Sequence, residues 1–382
     1  MAHRTWLAAS LAAALALGGA VTAGAADVVL GAAFSLTTDY ALSGAQQKNG
    51  VDMAVEEANA HGGVNGNKIR VEYADNAAST TVGVNALNKV LSAEPAAVFL
   101  TVRGAQVLPQ VPVLDKAKIA GTTVASARSI TRQGSPYLFR FATHDGMAKR
   151  AVTLFALDRL KKSKVAILHV ADEYGSNGRD SIVATLKERG LTPVAVESNQ
   201  AADKDMSAQL LKIKNAGADV LIVQNHQVPC AIILRQVRQL ALNVPVIGSA
   251  SCTLPQTLDL VTKEEIEGLY GETLTFVAGN PDPKIKAWAE KMKAKFNVEP
   301  DVVALTQYDA TSMMIEVMKK YGTTREAIQK GMKEMPYEGI VASYAADAEG
   351  NMLRQILIVQ VQDKRLKQVE KLTFTKQESE RL

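Results

Sequence analysis

Six short polar stretches carry the chemistry this chain can offer. They are Asp39-Tyr40, Arg103-Gly104-Ala105, Ala125-Ser126, Asp172-Glu173-Tyr174, Asn225-His226-Gln227 and Ser249-Ala250-Ser251. Each follows a run of strand-like residues. Tyr174 is the most pointed of them. It comes just after the apolar run Val165–Val170 and just before a segment with helical spacing. In an open parallel sheet, such a position lies at the carboxyl end of a strand, where ligands bind. Tyr174 would bring an aromatic face and a hydroxyl there. Arg103 is the clear cation of the set and suits a carboxylate. Backbone N–H groups at Gly104, Ala105 and Ser126 could bind the same anion. Taken singly, each stretch also reads as a solvated turn, Arg103 as a surface arginine and Tyr174 as packing of its own turn. At corresponding ends of two sheets, they describe a cleft with one face per lobe.

Other chemistries lack their residues. His61, His144, His169 and His226 are not spaced as metal ligands, so no metal site is expected. There is no Gly-x-Ser-x-Gly elbow, no Gly-x-x-x-x-Gly-Lys loop and no Gly-x-Gly-x-x-Gly. Gly175-Ser176-Asn177-Gly178 has neither the lysine nor the spacing of a phosphate loop and reads as a helix start. With no paired nucleophile and base in view, an enzyme is disfavoured, and no cofactor is expected. The net charge of +4 is interspersed, and aromatics make up only 5%, so no basic stripe with stacking residues points to nucleic acid.

The elements that would position these residues alternate strand and helix. Strands are expected at Asp27–Ala33, Lys68–Tyr73, Ala96–Thr101, Lys118–Val124 and Tyr137–Phe141, with helices at Gly44–Ala60 and Thr81–Leu91 and an irregular one at Val107–Lys116. The alternation then restarts. Helices at Ala148–Lys161, Arg179–Arg189, Met206–Ala216 and Cys230–Leu240 separate strands at Val165–Val170, Pro193–Glu197, Val220–Gln224, Val244–Gly248 and Gly268–Leu274. Helices Pro281–Phe296, Val303–Tyr321 and Thr324–Glu334 follow. Two strands in Met352–Leu372, split by Asp363-Lys364, close the chain. The fold class is α/β: two Rossmann-like lobes with parallel sheets, joined by a short multi-strand hinge. The expected division is 1–25 export signal, 26–144 plus 276–354 first lobe, and 145–275 plus 355–382 second lobe.

The first residues read as a signal peptide. Arg4 precedes the apolar run Trp6–Val21, and Ala23-Gly24-Ala25 is a small-x-small cleavage site. The expected location is the periplasm. Cys230 and Cys252 lie 22 positions apart and each follows an expected strand. If those strands are neighbours, the cysteines form a disulfide worth about 3 kcal/mol; otherwise they are two buried thiols.

One set of motifs runs through the chain in order. It begins with Ser35-Leu36-Thr37-x-Asp39-Tyr40-Ala41, then Asn49-Gly50-Val51, then Glu57-x-Asn59-Ala60-x-Gly62-Gly63-Val64-x-Gly66. It continues through Ala125-Ser126, Ser135-Pro136-Tyr137-Leu138-Phe139-Arg140-Phe141, Asp172-x-Tyr174-Gly175, Leu234-Arg235-Gln236-Val237-Arg238 and Tyr308-Asp309-Ala310. This order of pieces resembles the leucine/isoleucine/valine-binding family of ABC-transporter periplasmic proteins. The resemblance implies a type I periplasmic-binding fold, a small-molecule ligand between the lobes, a permease and its ATPase as partners, and a monomer. It places Ala125-Ser126 on the ligand's carboxylate and Tyr174 against the ligand from the second lobe. Gly104 stands where the family usually has a serine, with Arg103 adjoining, and His226 or Gln227 where some members have an aromatic. One position departs. Amino-acid binders of the family carry an acidic residue for the α-ammonium after the strand ending Ile247-Gly248, and here that position is Ala250. A buried ammonium with no anion costs several kcal/mol. Aromatic or aliphatic acids, and amide- or urea-type solutes, therefore compete with a branched-chain amino acid. A ligand sensor for a separate signalling chain is the other role left open.

Overall fold

The computed structural model describes Met1 and residues 27–382. The expected export signal lies outside the described residues. The first sheet has the order β2-β1-β3-β4-β5 and is parallel throughout. Its strands are β1 (Val28–Phe34), β2 (Ile69–Asp75), β3 (Ala97–Leu100), β4 (Gly121–Thr123) and β5 (Leu138–Arg140). All but β2 are almost wholly apolar or buried, as a sheet covered on both faces requires. On one face lies α1 (Ala41–Ala60), which contributes Val51 and Val55 to a core with Phe34 and Phe99. On the other lie α2 (Thr80–Leu91), α3 (Gly104–Val107) and α4 (Val111–Ala117) over Val98 and Leu100.

The second sheet has the order β14-β13-β10-β9-β8-β6-β7. Five strands are parallel: β6 (Val165–Val170), β7 (Ala195–Asn199), β8 (Val220–Gln224), β9 (Val246–Gly248) and β10 (Tyr270–Thr273). The hydrophobic run of β6 is buried at every residue because it sits inside the sheet, whereas β7 at the edge alternates. One face is covered by α5 (Asp145–Leu154) and α6 (Glu173–Glu188). The other is covered by α7 (Ser207–Asn215), α8 (Gln227–Gln239), α9 (Pro255–Asp259) and α10 (Lys263–Ile266).

The chain then returns to the first lobe. α11 (Pro283–Phe296), α12 (Val302–Tyr321) and α13 (Arg325–Glu334) pack there, with α12 laid along α1. The small hairpin β11 (Tyr337–Glu338) and β12 (Ser343–Tyr344) is pinned to α12 by Asp309, which accepts from the Ile340 and Val341 N–H groups and the Tyr344 hydroxyl. Finally β13 (Gln355–Gln362) and β14 (Arg365–Thr373) add antiparallel strands to the second sheet, and α14 (Lys376–Arg381) ends the chain. The chain thus crosses between lobes after β5, after β10 and before β13. The C-terminal helix straddles this hinge: Arg128 and Arg132 of the first lobe donate to the Arg381 and Glu380 carbonyls.

Two local expectations change. The helix after β6 begins at Glu173, six residues earlier than its apolar periodicity indicates, so Tyr174 sits in a helical turn and not on a loop. Asp172 caps it, accepting from the Gly175 N–H at 3.0 Å. Likewise Gly104 and Ala105 lie in the short helix α3. The two strands that precede the cysteines, β8 and β9, are neighbours, and Cys230 and Cys252 form a disulfide with Cα atoms 5.3 Å apart.

Candidate functional site

A cavity of about 450 Å³ lies between the lobes, and both line it. That volume suits a small solute. The first lobe brings Tyr40, Arg103, Gly104 and Ser126, the second Tyr174, His226, Gln227 and Ala250. Each of the six polar stretches singled out from the sequence therefore sends at least one residue to this one place. The carboxyl ends of the strands converge there, which is why turns far apart in the chain become neighbours.

The mouth is an aromatic and ionic cluster that joins the lobes. The rings of Tyr174 and His226 stack with centroids 5.1 Å apart. Tyr40 meets His226 edge-on at 5.6 Å, and the Arg103 guanidinium lies 4.5 Å over the Tyr40 ring. His226 Nε2 is 2.7 Å from Asp172 Oδ2, and Arg103 reaches the same oxygen at 3.8 Å. Burial would raise the Asp172 carboxyl, but the hydrogen bond and charge of His226, helped by the Gly175 N–H and Arg103, hold it below the usual range. Ser129 of the first lobe donates to Glu173 of the second. Gly104 closes the same seam: a Cβ there would lie 2.5 Å from the Ala127 Cβ and 2.8 Å from Glu173 Oε2.

Two of the expected residues do not line the cavity. Ala125 is fully buried, and its N–H donates to Thr123 Oγ1 at 3.0 Å. Ala105 likewise does not reach the cavity wall. Arg103 remains at the cavity, but its charge is partly shared with Asp172. Ser126 lines the wall, and its carbonyl accepts from the Asp145 N–H at 2.9 Å.

Residues not singled out form the floor. Glu272 of β10 lines the cavity beside Ala250 and accepts from the Ala250 N–H at 3.2 Å. It also pairs with Lys149 of α5, and both are almost fully buried. Asp145, at the first position of α5, is 1% exposed and lines the same floor. Burial pushes its carboxyl up to about 7, with Lys149 opposing and Glu272 adding to the rise. The Tyr174 phenol is raised by burial and by the charges of Asp145 and Glu272. The sequence carried one signal for Glu272: a carboxylate inside a strand, between Leu269 and Leu274. Asp145 was masked by its His-Asp-Gly context, which reads as a lobe crossing. Val102, Val124, Leu254, Leu274, Val302 and Ile356 make the rest of the wall largely apolar. Among the described residues, no group of His, Cys, Asp and Glu is arranged to hold a metal ion, and no helix is long and apolar enough to cross a membrane.

Two α/β lobes with a hinge on one side and a lined cleft on the other define a two-lobe small-molecule binder. The periplasmic binding protein profile matches residues 27–365, and the chain belongs to that family. It is 29% identical to the Leu/Ile/Val-binding protein BraC3 of Rhizobium johnstonii, over 79% of this chain and 82% of that one. Its fold is similar to the branched-chain amino acid transporter substrate-binding protein LivJ of Streptococcus pneumoniae in complex with isoleucine, with TM-score 0.82, 21% identity, and coverage of 91% of this chain and 99% of that one. It is equally similar to a solute-binding protein of an ABC transporter from Rhodopseudomonas palustris in complex with 3,4-dihydroxybenzoic acid, with TM-score 0.82, 20% identity, and coverage of 91% and 97%.

Proposed function

We propose that this protein is exported to the periplasm and captures a small carboxylate-bearing solute for an ABC importer. The observation that carries this reading is the interlobe cavity, with Tyr174 and His226 from one lobe facing Tyr40 and Arg103 from the other. A solute there touches both lobes at once, so it stabilises the closed form by its differential affinity for that form. The closed form then docks on a permease with its ATPase. The relatives support this role, since those named above are binding proteins. The solutes in the two similar structures, isoleucine and 3,4-dihydroxybenzoic acid, are both carboxylates. Arg103 supplies the matching cation at the mouth.

A thermal-shift screen of the exported form tests this reading. The panel holds amino acids, aromatic and aliphatic acids, dicarboxylates, amides and urea. A carboxylate at a hundredfold excess over its Kd stabilises by about 2.7 kcal/mol, which a midpoint shift reads directly. Stabilisation by amides or urea alone would contradict it.

A further inference from the structure

Glu173 opens α6 in the second lobe, and its side chain reaches across to the first. Its Oε1 accepts from the Ser129 hydroxyl, in the turn Arg128–Ile130, and from Asn177 Nδ2 at 3.2 Å. Asn177 also donates to the Glu173 carbonyl at 2.8 Å, which ties the carboxylate to its own helix. The other oxygen, Oε2, rests against the backbone of α3, where a Cβ on Gly104 would stand 2.8 Å away. There it is buried and has no hydrogen-bond partner.

Among the described residues, no cation bonds to that oxygen. Arg103, just before α3, turns to Asp172 Oδ2 and to the Ala78 carbonyl. Arg128, beside Ser129, donates to the Arg381 carbonyl. Arg140 on β5 acts on Glu173 through its charge, but its guanidinium bonds to Asn351, Thr131 and the Ser126 and Ala127 carbonyls. On the second lobe, Asp172 is the adjoining residue and His226 is bonded to it. Burial pushes the Glu173 carboxyl above its ordinary 4.5, against the Ser129 hydrogen bond. Asp172 adds to the rise, and Arg140 and Asn177 oppose it.

We propose that Glu173 is a proton-linked latch between the lobes: closure buries its carboxyl against Gly104 and Ser129, and the closed form takes up a proton there. Ser129, Gly104 and Ala127 belong to the first lobe, so parting the lobes returns Glu173 to water, where it ionises in the ordinary way. A buried carboxylate oxygen with no partner is costly, and protonation removes most of that cost. The group is raised in the closed form, so the advantage of that form is complete below about 4.5 and is lost as pH rises through the raised value. One proton changes the closed-to-open ratio by at most about tenfold per pH unit. The latch acts in the empty protein and does not depend on which solute the cleft takes.

Small-angle X-ray scattering of the ligand-free protein at pH 5 and pH 8 tests this, with far-UV circular dichroism confirming that each variant is folded. The wild type is expected to be more compact at pH 5. Glu173→Gln, a neutral side chain of the same shape, is expected to stay compact at both. Asp145, Asp309 and the histidines are the same in both proteins, so the difference between the two belongs to Glu173. Ser129→Ala deletes a hydrogen bond that favours the charged carboxylate, so it should open the lobes more at pH 8 than at pH 5. Loss of a purely structural contact would open them equally at both. A wild type of unchanged size, a Glu173→Gln variant with the wild-type pH dependence, or a Ser129→Ala variant that opens alike at both pH values overturns the proposal. None of these outcomes bears on the carboxylate-binding reading, which is tested with solute present.

Discussion

At the scale of single residues, Tyr174 and Asp145 are the two cavity residues whose substitution gives the clearest readouts. Tyr174 brings a ring that stacks on His226 and a phenol that burial, with the charges of Asp145 and Glu272, keeps protonated. Removing the ring in Tyr174→Ala should weaken ligand binding by roughly 1–3 kcal/mol, read by calorimetry; an unchanged affinity would take Tyr174 out of the site. Asp145 also sets a pH dependence in the ligand-free protein. Its carboxyl sits at about 7 when folded, above the ordinary value of 3.8. A raised folded-state value means the folded form holds the proton more tightly. The stability it contributes is therefore complete below about 4 and is lost as pH rises through 7. Asp309 behaves in the same sense, with burial holding it at about 6, so the test is a difference. Thermal midpoints of Asp145→Asn should fall less than wild type between pH 5 and 8, and parallel curves would contradict this. Tyr174 was legible in the sequence because a strand run points at it. Asp145 and Glu272 were not, because their meaning depends on which strand ends adjoin. Glu272 reaches Ala250 only because β10 pairs with β9.

At the scale of elements, the site depends on how α6 meets β6. Asp172 caps the helix and accepts from the Gly175 N–H, which turns Tyr174 inward on the first helical turn. Gly175 lets the helix approach the strand: a Cβ there would lie 1.8 Å from the Val170 carbonyl oxygen. Gly175→Ala should cost about 1–3 kcal/mol of stability and push Tyr174 off His226. A thermal midpoint equal to wild type with unchanged ligand affinity would refute that. The Cys230–Cys252 bridge ties the start of α8 to the turn after β9, so it fixes His226 and Gln227 relative to Ala250. Its removal in Cys230→Ala/Cys252→Ala should cost about 3 kcal/mol, read by denaturant unfolding. Strand and helix order was readable from hydrophobic period alone. The helix start at Glu173 was missed because Glu173–Gly178 is polar and glycine-rich, and a cap with tertiary packing outweighs weak helix propensity there.

At the scale of the whole molecule, three chain crossings and the straddling α14 tie the two lobes together. Contacts already join the two lobes: Arg103 with Asp172, Ser129 with Glu173, Tyr40 with His226. A solute that touches both lobes is expected to add to these few contacts and shift the balance toward closure. The lobe pattern was visible in the sequence as a β/α alternation that restarts near Thr143–Gly146. The shape of the cavity was not, because it is made by two sheets meeting face to face. The central claim is that this cleft binds one small carboxylate-bearing solute. Calorimetric titration of the exported form with acids and their matching neutral amides measures it most directly. The account predicts saturable binding of one acid per chain, with the amide much weaker. Equal affinity for acid and amide, or no binding by any carboxylate, would contradict it.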